Sequence, residues 1–268
     1  MDPGKPQEGR VRTLDFLSLQ QESSIVNLPF NVCDLDFEVS CNNELAPYVS
    51  SVIGPFNSPR PGRYMLDLRV LPERISKTPV AEPLQIISFG SRKMKIALSH
   101  ANRESIAAAV GCLLYLALCK ENGVLLHAST LVTNDRAYVF TGKAGAGKTT
   151  IANNALDMQC IHDDKVAVRF RNGEWWAYGV PMMNSAGVIG KNMDASLASL
   201  FFIERGNSLR KKSLSRKTAM FELTAHTVSP ILGGDCLKLT VECLLSLVAG
   251  VDCWRLSFER DSNVKLII

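Results

Sequence analysis

Residues 142–149 read Gly-Lys-Ala-Gly-Ala-Gly-Lys-Thr, a complete GxxxxGK[ST] run. Its setting constrains the fold more than any other feature of the chain. Ahead of it, Arg136-Ala137-Tyr138-Val139-Phe140 has the apolar content of a short strand, and behind it Thr150-Ile151-Ala152-Asn153-Asn154-Ala155-Leu156 starts a helix. Strand, glycine-rich loop and helix in that order form the Walker A phosphate-binding unit of α/β proteins. Glycines let the backbone N–H groups turn inward around phosphates, and the helix start adds its positive end. Gly142, Lys143, Ala144, Gly145, Ala146, Gly147, Lys148, Thr149 and Thr150 are the candidate nucleotide-binding residues. Lys148 would reach the β and γ oxygens and Thr149 would offer its hydroxyl to Mg²⁺, so ATP and Mg²⁺ are the expected ligands.

The 268-residue chain carries a formal charge of +4 with 46% hydrophobic residues, enough for a substantial core. No basic stripe interleaved with aromatics stands out, so nucleic acid is not an expected partner. Eight cysteines occur without a CxxC pair, several inside apolar runs, which points to reduced core thiols in a cytoplasmic protein rather than to zinc. No apolar leader is visible in 1–10, and the longest apolar run, 106–118, falls short of the ~20 residues that span a bilayer. No membrane partner is expected, and self-association is left open.

Residues 1–101 differ in texture from the rest of the chain. Strand-like stretches at 33–40, 64–71 and 93–98 are separated by the Pro/Gly-rich 54–62, which predicts a small β-rich N-terminal accessory lobe. From 102 to 268 the pattern predicts the catalytic domain. Ile106, Val110, Leu113, Leu114, Ala117 and Leu118 recur at helical spacing, with Asn102 as N-cap and Gly123 placed to end the helix. Strands are expected at 124–132 and 136–140 around the turn-forming Asn134-Asp135. Further strands are expected at 160–164, at 166–171 and 175–180 around Asn172-Gly173, at 197–203 and at 254–258. Trp175, Trp176 and Tyr178 most simply cover a sheet face. Helices are expected at 216–225 and 235–248, with 264–268 closing the sheet edge.

Using a nucleotide requires carboxylates as well as the loop. Asp163-Asp164 lies about one helix and one strand beyond Lys148, the distance at which a strand end returns to the phosphate edge of an α/β sheet. His127 stands alone in an apolar strand, a setting shared by core histidines and catalytic ones. His162 adjoins the acidic pair, yet strand alternation turns it away from Asp163. The basic run Arg210-Lys211-Lys212 with Arg216-Lys217 has two readings: a solvated loop, or a segment 206–217 that is poorly ordered until it meets an acidic acceptor.

The order Gly123-Val124-Leu125-Leu126-His127-Ala128-Ser129, then Val139-Phe140-Thr141 with the phosphate loop, then His162-Asp163-Asp164-Lys165 and a hairpin, resembles the C-terminal domain of HPr kinase/phosphorylase. The likeness is best over 123–180. Segments 200–206 and 253–258 look like parts of the smaller HPr-kinase-like proteins, some of which phosphorylate peptide precursors such as lasso peptides. The resemblance implies an α/β fold with a P-loop sheet core of the HPr kinase and phosphoenolpyruvate carboxykinase type. It implies Asp163 as general base toward a serine hydroxyl, Asp164 as its metal-side neighbour with Thr149, and His127 as the histidine that orients the base. Lys148 would act on the phosphates. The family's E-x-R-G-hydrophobic-G run has no full counterpart in Glu204-Arg205-Gly206-Asn207-Ser208, which speaks against HPr as acceptor and against phosphorolysis.

The expected activity is therefore ATP-dependent transfer of the γ-phosphoryl group to a serine of a protein or peptide. A nucleotide-binding regulator or assembly factor with little turnover, and a small-molecule hydroxyl kinase, are the alternatives.

Overall fold

The computed structural model describes residues 24–71, 84–155, 157–230, 232–260, 262, 265, 267 and 268. It is a mixed α/β structure with two mixed sheets, and the chain divides into two compact units at Leu116/Ala117.

The first unit is a small β lobe. Strands β1 (Ile25–Val32) and β2 (Leu35–Asn42) form a hairpin whose turn residues, Cys33 and Asp34, both have positive φ, 58° and 57°. The sequence places a strand start at Cys33, but the residue is spent on the turn, which lacks the glycine that normally announces such geometry. Helix α1 (Ala46–Ile53), preceded by Asn42 accepting from the Leu45 N–H at 3.0 Å, buries Val49, Val52 and Ile53. β3 (Tyr64–Val70), β4 (Leu84–Phe89) and β5 (Lys93–Leu98) complete a sheet of order β1-β2-β3-β5-β4. The alternation of Tyr64, Leu66 and Leu68 buries all three, and Phe30, Phe37 and Tyr64 meet with centroids 5.0 and 5.6 Å apart.

Helix α2 (Arg103–Lys120) comes next, with Asn102 Oδ1 accepting from the Ser105 N–H at 2.8 Å as its cap. It ends through Asn122, which takes the left-handed conformation at φ 55° in place of Gly123. Gly123 instead opens β6, where an added Cβ would stand 2.6 Å from Leu118 Cδ2.

In the second unit the long strand β6 (Gly123–Thr133) is the organiser. It pairs antiparallel with β7 (Arg136–Thr141), with β8 (Gln159–His162) and with β9 (Lys165–Arg171). Asn134 and Asp135 turn between β6 and β7 at φ 49° and 58°, and Asn172-Gly173 turns between β9 and β10 (Glu174–Tyr178) at 52° and 88°. Both turns are as the sequence predicts. β11 (Asp194–Arg205) and β13 (Asp252–Phe258) continue the sheet in parallel beyond β7, and β10 also pairs with β11. Trp175 and Tyr178 are buried on this sheet.

The basic run does not behave as a disordered segment. Arg210–Ser213 forms β12, antiparallel to β13, and this strand closes the edge assigned from sequence to 264–268. Of that stretch, Val264 and Leu266 lie outside the described residues, and Lys265, Ile267 and Ile268 belong to no strand. Lys211 sits over the rings of Trp254 and Phe201, 4.3 and 5.3 Å from their centroids, and donates to the Ile267 carbonyl at 2.7 Å. A lysine used this way covers aromatic surface with its stem. Ser215 then caps α4 (Arg216–Ala225), accepting from the Thr218 N–H at 3.2 Å, and α5 (Gly234–Gly250) precedes β13. α4 and α5 cover one cluster of the sheet's buried residues with Ala219, Leu223, Leu244 and Leu247. A second cluster of Phe140, Ile151, Phe201, Leu256 and Phe258 clamps the short helix α3 (Lys148–Asn154).

Candidate functional site

β7 ends at Thr141, and the chain runs through 142–147 into α3, so the glycine-rich motif joins a strand to a helix. Gly145 and Gly147 have φ of 75° and 105°, backbone that residues with a Cβ adopt only with strain. Gly142 is glycine for a different reason: a Cβ there would meet the Ile203 carbonyl at 2.8 Å. Ile151 is buried at the foot of α3 and holds the loop to the sheet, a contact worth about 1.5–3 kcal/mol.

Lys148 is only 8% exposed. Its ammonium donates to the carbonyls of Gly142 at 2.8 Å and Lys143 at 3.3 Å, both within its own loop. Burial lowers its pKa, and the charge of Asp164 offsets part of that effect. A desolvated cation satisfied by neutral carbonyls alone, at the mouth of a cleft, has the disposition of a group that receives an anion.

Facing it is the turn between β8 and β9. Asp164 Oδ1 lies 2.9 Å from His127 Nδ1, and Lys165 Nζ donates to Oδ2. Burial by itself pushes the Asp164 carboxyl up, but the hydrogen bonds from His127 and Lys165, with their charges, hold it well below the usual carboxylate range. Asp163 is fastened differently. Its Oδ1 accepts from Asn184 Nδ2 at 2.7 Å, and its main-chain carbonyl accepts from Ser129 Oγ at 2.7 Å. The histidine that the family resemblance attaches to the base is thus hydrogen-bonded to Asp164, and the partner of Asp163 is Asn184.

His127 is held from three sides. Its N–H donates to the His226 carbonyl at 2.8 Å, its carbonyl accepts from Thr141 Oγ1 at 3.0 Å, and the neighbouring Ala128 N–H donates to the Asp164 carbonyl at 3.0 Å. Its side chain remains 40% exposed, so the ring is open to the cleft.

His162, which alternation turns away from Asp163, nonetheless builds the turn. Its Nδ1 accepts from the N–H groups of Asp164 at 3.0 Å and Lys165 at 2.8 Å, and Nε2 donates to the Met182 carbonyl at 3.0 Å. Two donors at Nδ1 require the neutral Nε2–H tautomer. Burial lowers its pKa, against the opposing pull of the Met182 bond, and agrees with that state.

One cleft of about 300 Å³ brings the loop and the aspartate turn together. The loop and helix start contribute Ala144, Gly145, Gly147, Lys148, Thr149 and Thr150, and the opposite wall contributes His127, Asp163 and Asp164. Gly142, Lys143 and Ala146 shape the loop without lining the cleft: Lys143 offers its carbonyl to Lys148, and Ala146 packs on the core below. Two further residues line it, Ser185 and Arg205. Neither is singled out as a site residue by sequence reasoning, and nor are Asn184 and Lys165. Arg205 had a signal, its place at the end of a buried-strand pattern returning to the loop edge. Asn184 had none, because its role depends on a turn in which its Oδ1 accepts from the N–H groups of Ala186 and Val188.

Among the described residues no three His, Cys, Asp or Glu side chains are grouped to hold a metal ion by themselves. The Thr149 hydroxyl and the ionised Asp164 do share the cleft with the loop. One hard oxygen donor and one carboxylate beside a glycine-rich loop suit Mg²⁺, which takes few protein ligands and completes its shell with phosphate oxygens and water.

No family model matches the chain, and no curated protein matches it. Among solved structures it is similar to the Hpr(Ser) kinase/phosphatase from Coxiella burnetii. The likeness covers 50% of this chain and 85% of that one, at 12% identity and a TM-score of 0.27. No described helix is long and apolar enough to cross a membrane.

Proposed function

We propose that the protein is an ATP-dependent kinase that transfers the γ-phosphoryl group to a serine hydroxyl of a protein or peptide. One observation carries this reading: buried Lys148 and the glycine-rich loop share a single cleft with Asp163, Asp164 and His127. A site that only bound nucleotide would have no use for two carboxylates, which repel phosphate, one fastened by a histidine and a lysine and the other by Asn184.

In this reading the loop N–H groups and Lys148 bind the β- and γ-phosphates of ATP. Thr149 and Asp164 would hold Mg²⁺, which would supply neutralising charge to the phosphate oxygens. Asp164 stays ionised because His127 and Lys165 stabilise its charge, which makes it a weak proton acceptor and a persistent anion. Asp163 spends one oxygen on Asn184, and no bond among the described residues engages the other. It is therefore the proton acceptor: it takes the serine hydroxyl proton as that oxygen attacks the γ-phosphorus, and the bond to the bridging oxygen breaks to release ADP. His127 fixes the position of Asp164, and through the main chain the position of its neighbour.

The test is transfer of labelled γ-phosphate to serine-containing peptides, with the labelled residue located by mass spectrometry. Transfer should require Lys148 and Asp163. Wild-type protein that binds Mg·ATP yet labels no peptide, protein or small hydroxyl compound would sink the kinase reading.

A further inference from the structure

The cleft that holds the aspartates adjoins a second cavity of about 370 Å³, within the size range of small-molecule sites. The two share Gly147, Thr150 and Arg205, and the second is otherwise lined by Gly206, Phe258, Glu259 and Arg260. We propose that this second cavity takes the nucleoside half of the donor, sugar and base. The inference rests on the proposed phosphoryl transfer and deepens it.

Adjacency supplies the first argument. Asp163, Asp164 and His127 line only the first cleft, so the reacting end of a nucleoside triphosphate lies there. The rest of the molecule has to leave that cleft, and Gly147 and Thr150, both at the start of α3, form the wall common to the two spaces. The boundary between them is held by the sheet: Arg205 and Phe258 are register partners across β11 and β13, and the Gly206 N–H donates to the Phe258 carbonyl at 2.9 Å. An added Cβ on Gly147 would lie 2.6 Å from Phe258 Cζ, so the ring rests directly on the loop.

Chemistry supplies the second. Glu259 places a carboxylate in this cavity between two arginines, Arg205 and Arg260, and that carboxylate suits the hydroxyl donors of a ribose. The guanidinium groups of Arg205 and Arg260 are planar surfaces of the kind on which bases stack, while Phe258, 3% exposed, belongs to the core behind the loop. The site is also anchored. Asn154, at the end of α3, donates to the Arg260 carbonyl, and the Glu259 N–H donates to Ser262 Oγ at 3.1 Å. An acceptor is a poorer occupant, because the proton-accepting Asp163 lies in the other space.

The experiment compares two probes, ATP and inorganic tripolyphosphate, by titration calorimetry in the presence of Mg²⁺. The wild type should bind ATP more tightly than tripolyphosphate. The double variant Glu259→Ala/Arg260→Ala, which alters two exposed side chains, should lose about tenfold in ATP affinity, ~1.4 kcal/mol, and keep its tripolyphosphate affinity within about twofold. Unchanged ATP affinity, or equal losses for both probes, overturns the nucleoside assignment. Wild type that binds both probes equally removes this cavity's role alone, whereas wild type that binds neither removes the phosphate site and the kinase reading with it.

Discussion

His162 shows how much one side chain can decide at this site. Alternation along β8 assigns its face correctly, but a strand's alternation stops where the strand stops, and beyond it the ring caps two backbone donors of the Asp163–Lys165 turn. His162→Ala leaves the Asp164 and Lys165 N–H groups without that acceptor, and should cost about 1–3 kcal/mol of stability. The turn should loosen with it, so phosphoryl transfer should fall while the KM for ATP barely moves. A variant with unchanged stability would show that water replaces the ring at no cost. Titration adds a second check. The buried ring's pKa lies below its ordinary 6.5, so as pH falls through that value the unfolded chain takes up the proton before the folded one does. The His162 contribution is therefore intact above about pH 6.5 and declines below it, toward the lowered folded value. Melting temperatures between pH 7.5 and 5.5 should fall more steeply for wild type than for His162→Asn, and superimposable slopes would contradict this assignment. The aspartates separate in the same way. Asp163→Asn should preserve nucleotide binding and reduce transfer by ~10²–10⁴, the usual scale for losing a general base. Asp164→Asn should chiefly raise the Mg²⁺ concentration needed for activity. Reversed phenotypes would exchange the two roles, which the bond between His127 and Asp164 makes a pointed comparison.

At the scale of elements, the legible ones are those that local chemistry writes plainly. β7, the glycine loop, the Asn172-Gly173 hairpin and the capped helix α2 each carry a turn or periodicity signal that tertiary context merely confirms. The elements missed are those whose cause is non-local. β12 is Arg-Lys-Lys-Ser, exposed at every position, with no alternation to read. It is a strand because β13 offers it an edge, and Lys211 adds contacts over Trp254 and Phe201. Charged residues on an edge strand also discourage pairing with another chain. The β1 and β2 hairpin turns at Cys33-Asp34, a pair without the usual glycine, and so hid its own boundary. The loop itself makes an element-scale prediction. Gly147→Ala would force a Cβ onto backbone at φ 105° and to within 2.6 Å of Phe258 Cζ. Strain of roughly 1–2 kcal/mol from the backbone and ~1–3 kcal/mol from crowding should lower the melting temperature and abolish nucleotide binding together. A Gly147→Ala protein that binds ATP normally would mean that the loop does not wrap the phosphates.

For the whole molecule, the sequence located one half of the site better than the other. Loop, aspartates and His127 come from segments that each carry a local signal, and the structure gathers them into one cleft. Arg205, Asn184 and Ser185 arrive from the end of β11 and from the irregular stretch before it, where no local pattern records what the chain will face. The gathering is the central claim, since the proposed phosphoryl transfer requires the loop and the carboxylate pair together. Binding should be seen as stabilisation: at a hundredfold excess over Kd, Mg·ATP should add about 2.7 kcal/mol to the wild type and nothing to Lys148→Ala. The most direct measurement goes one step further. Wild type, Lys148→Ala and Asp163→Asn are incubated with Mg²⁺ and γ-labelled ATP in the presence of a serine-peptide library, and labelled serine is quantified by mass spectrometry. We predict label on serine with wild type, none with Lys148→Ala, and ~10²–10⁴-fold less with Asp163→Asn despite intact ATP binding. Equal labelling by wild type and Asp163→Asn, or ATP binding by wild type with no transfer at all, would contradict the account.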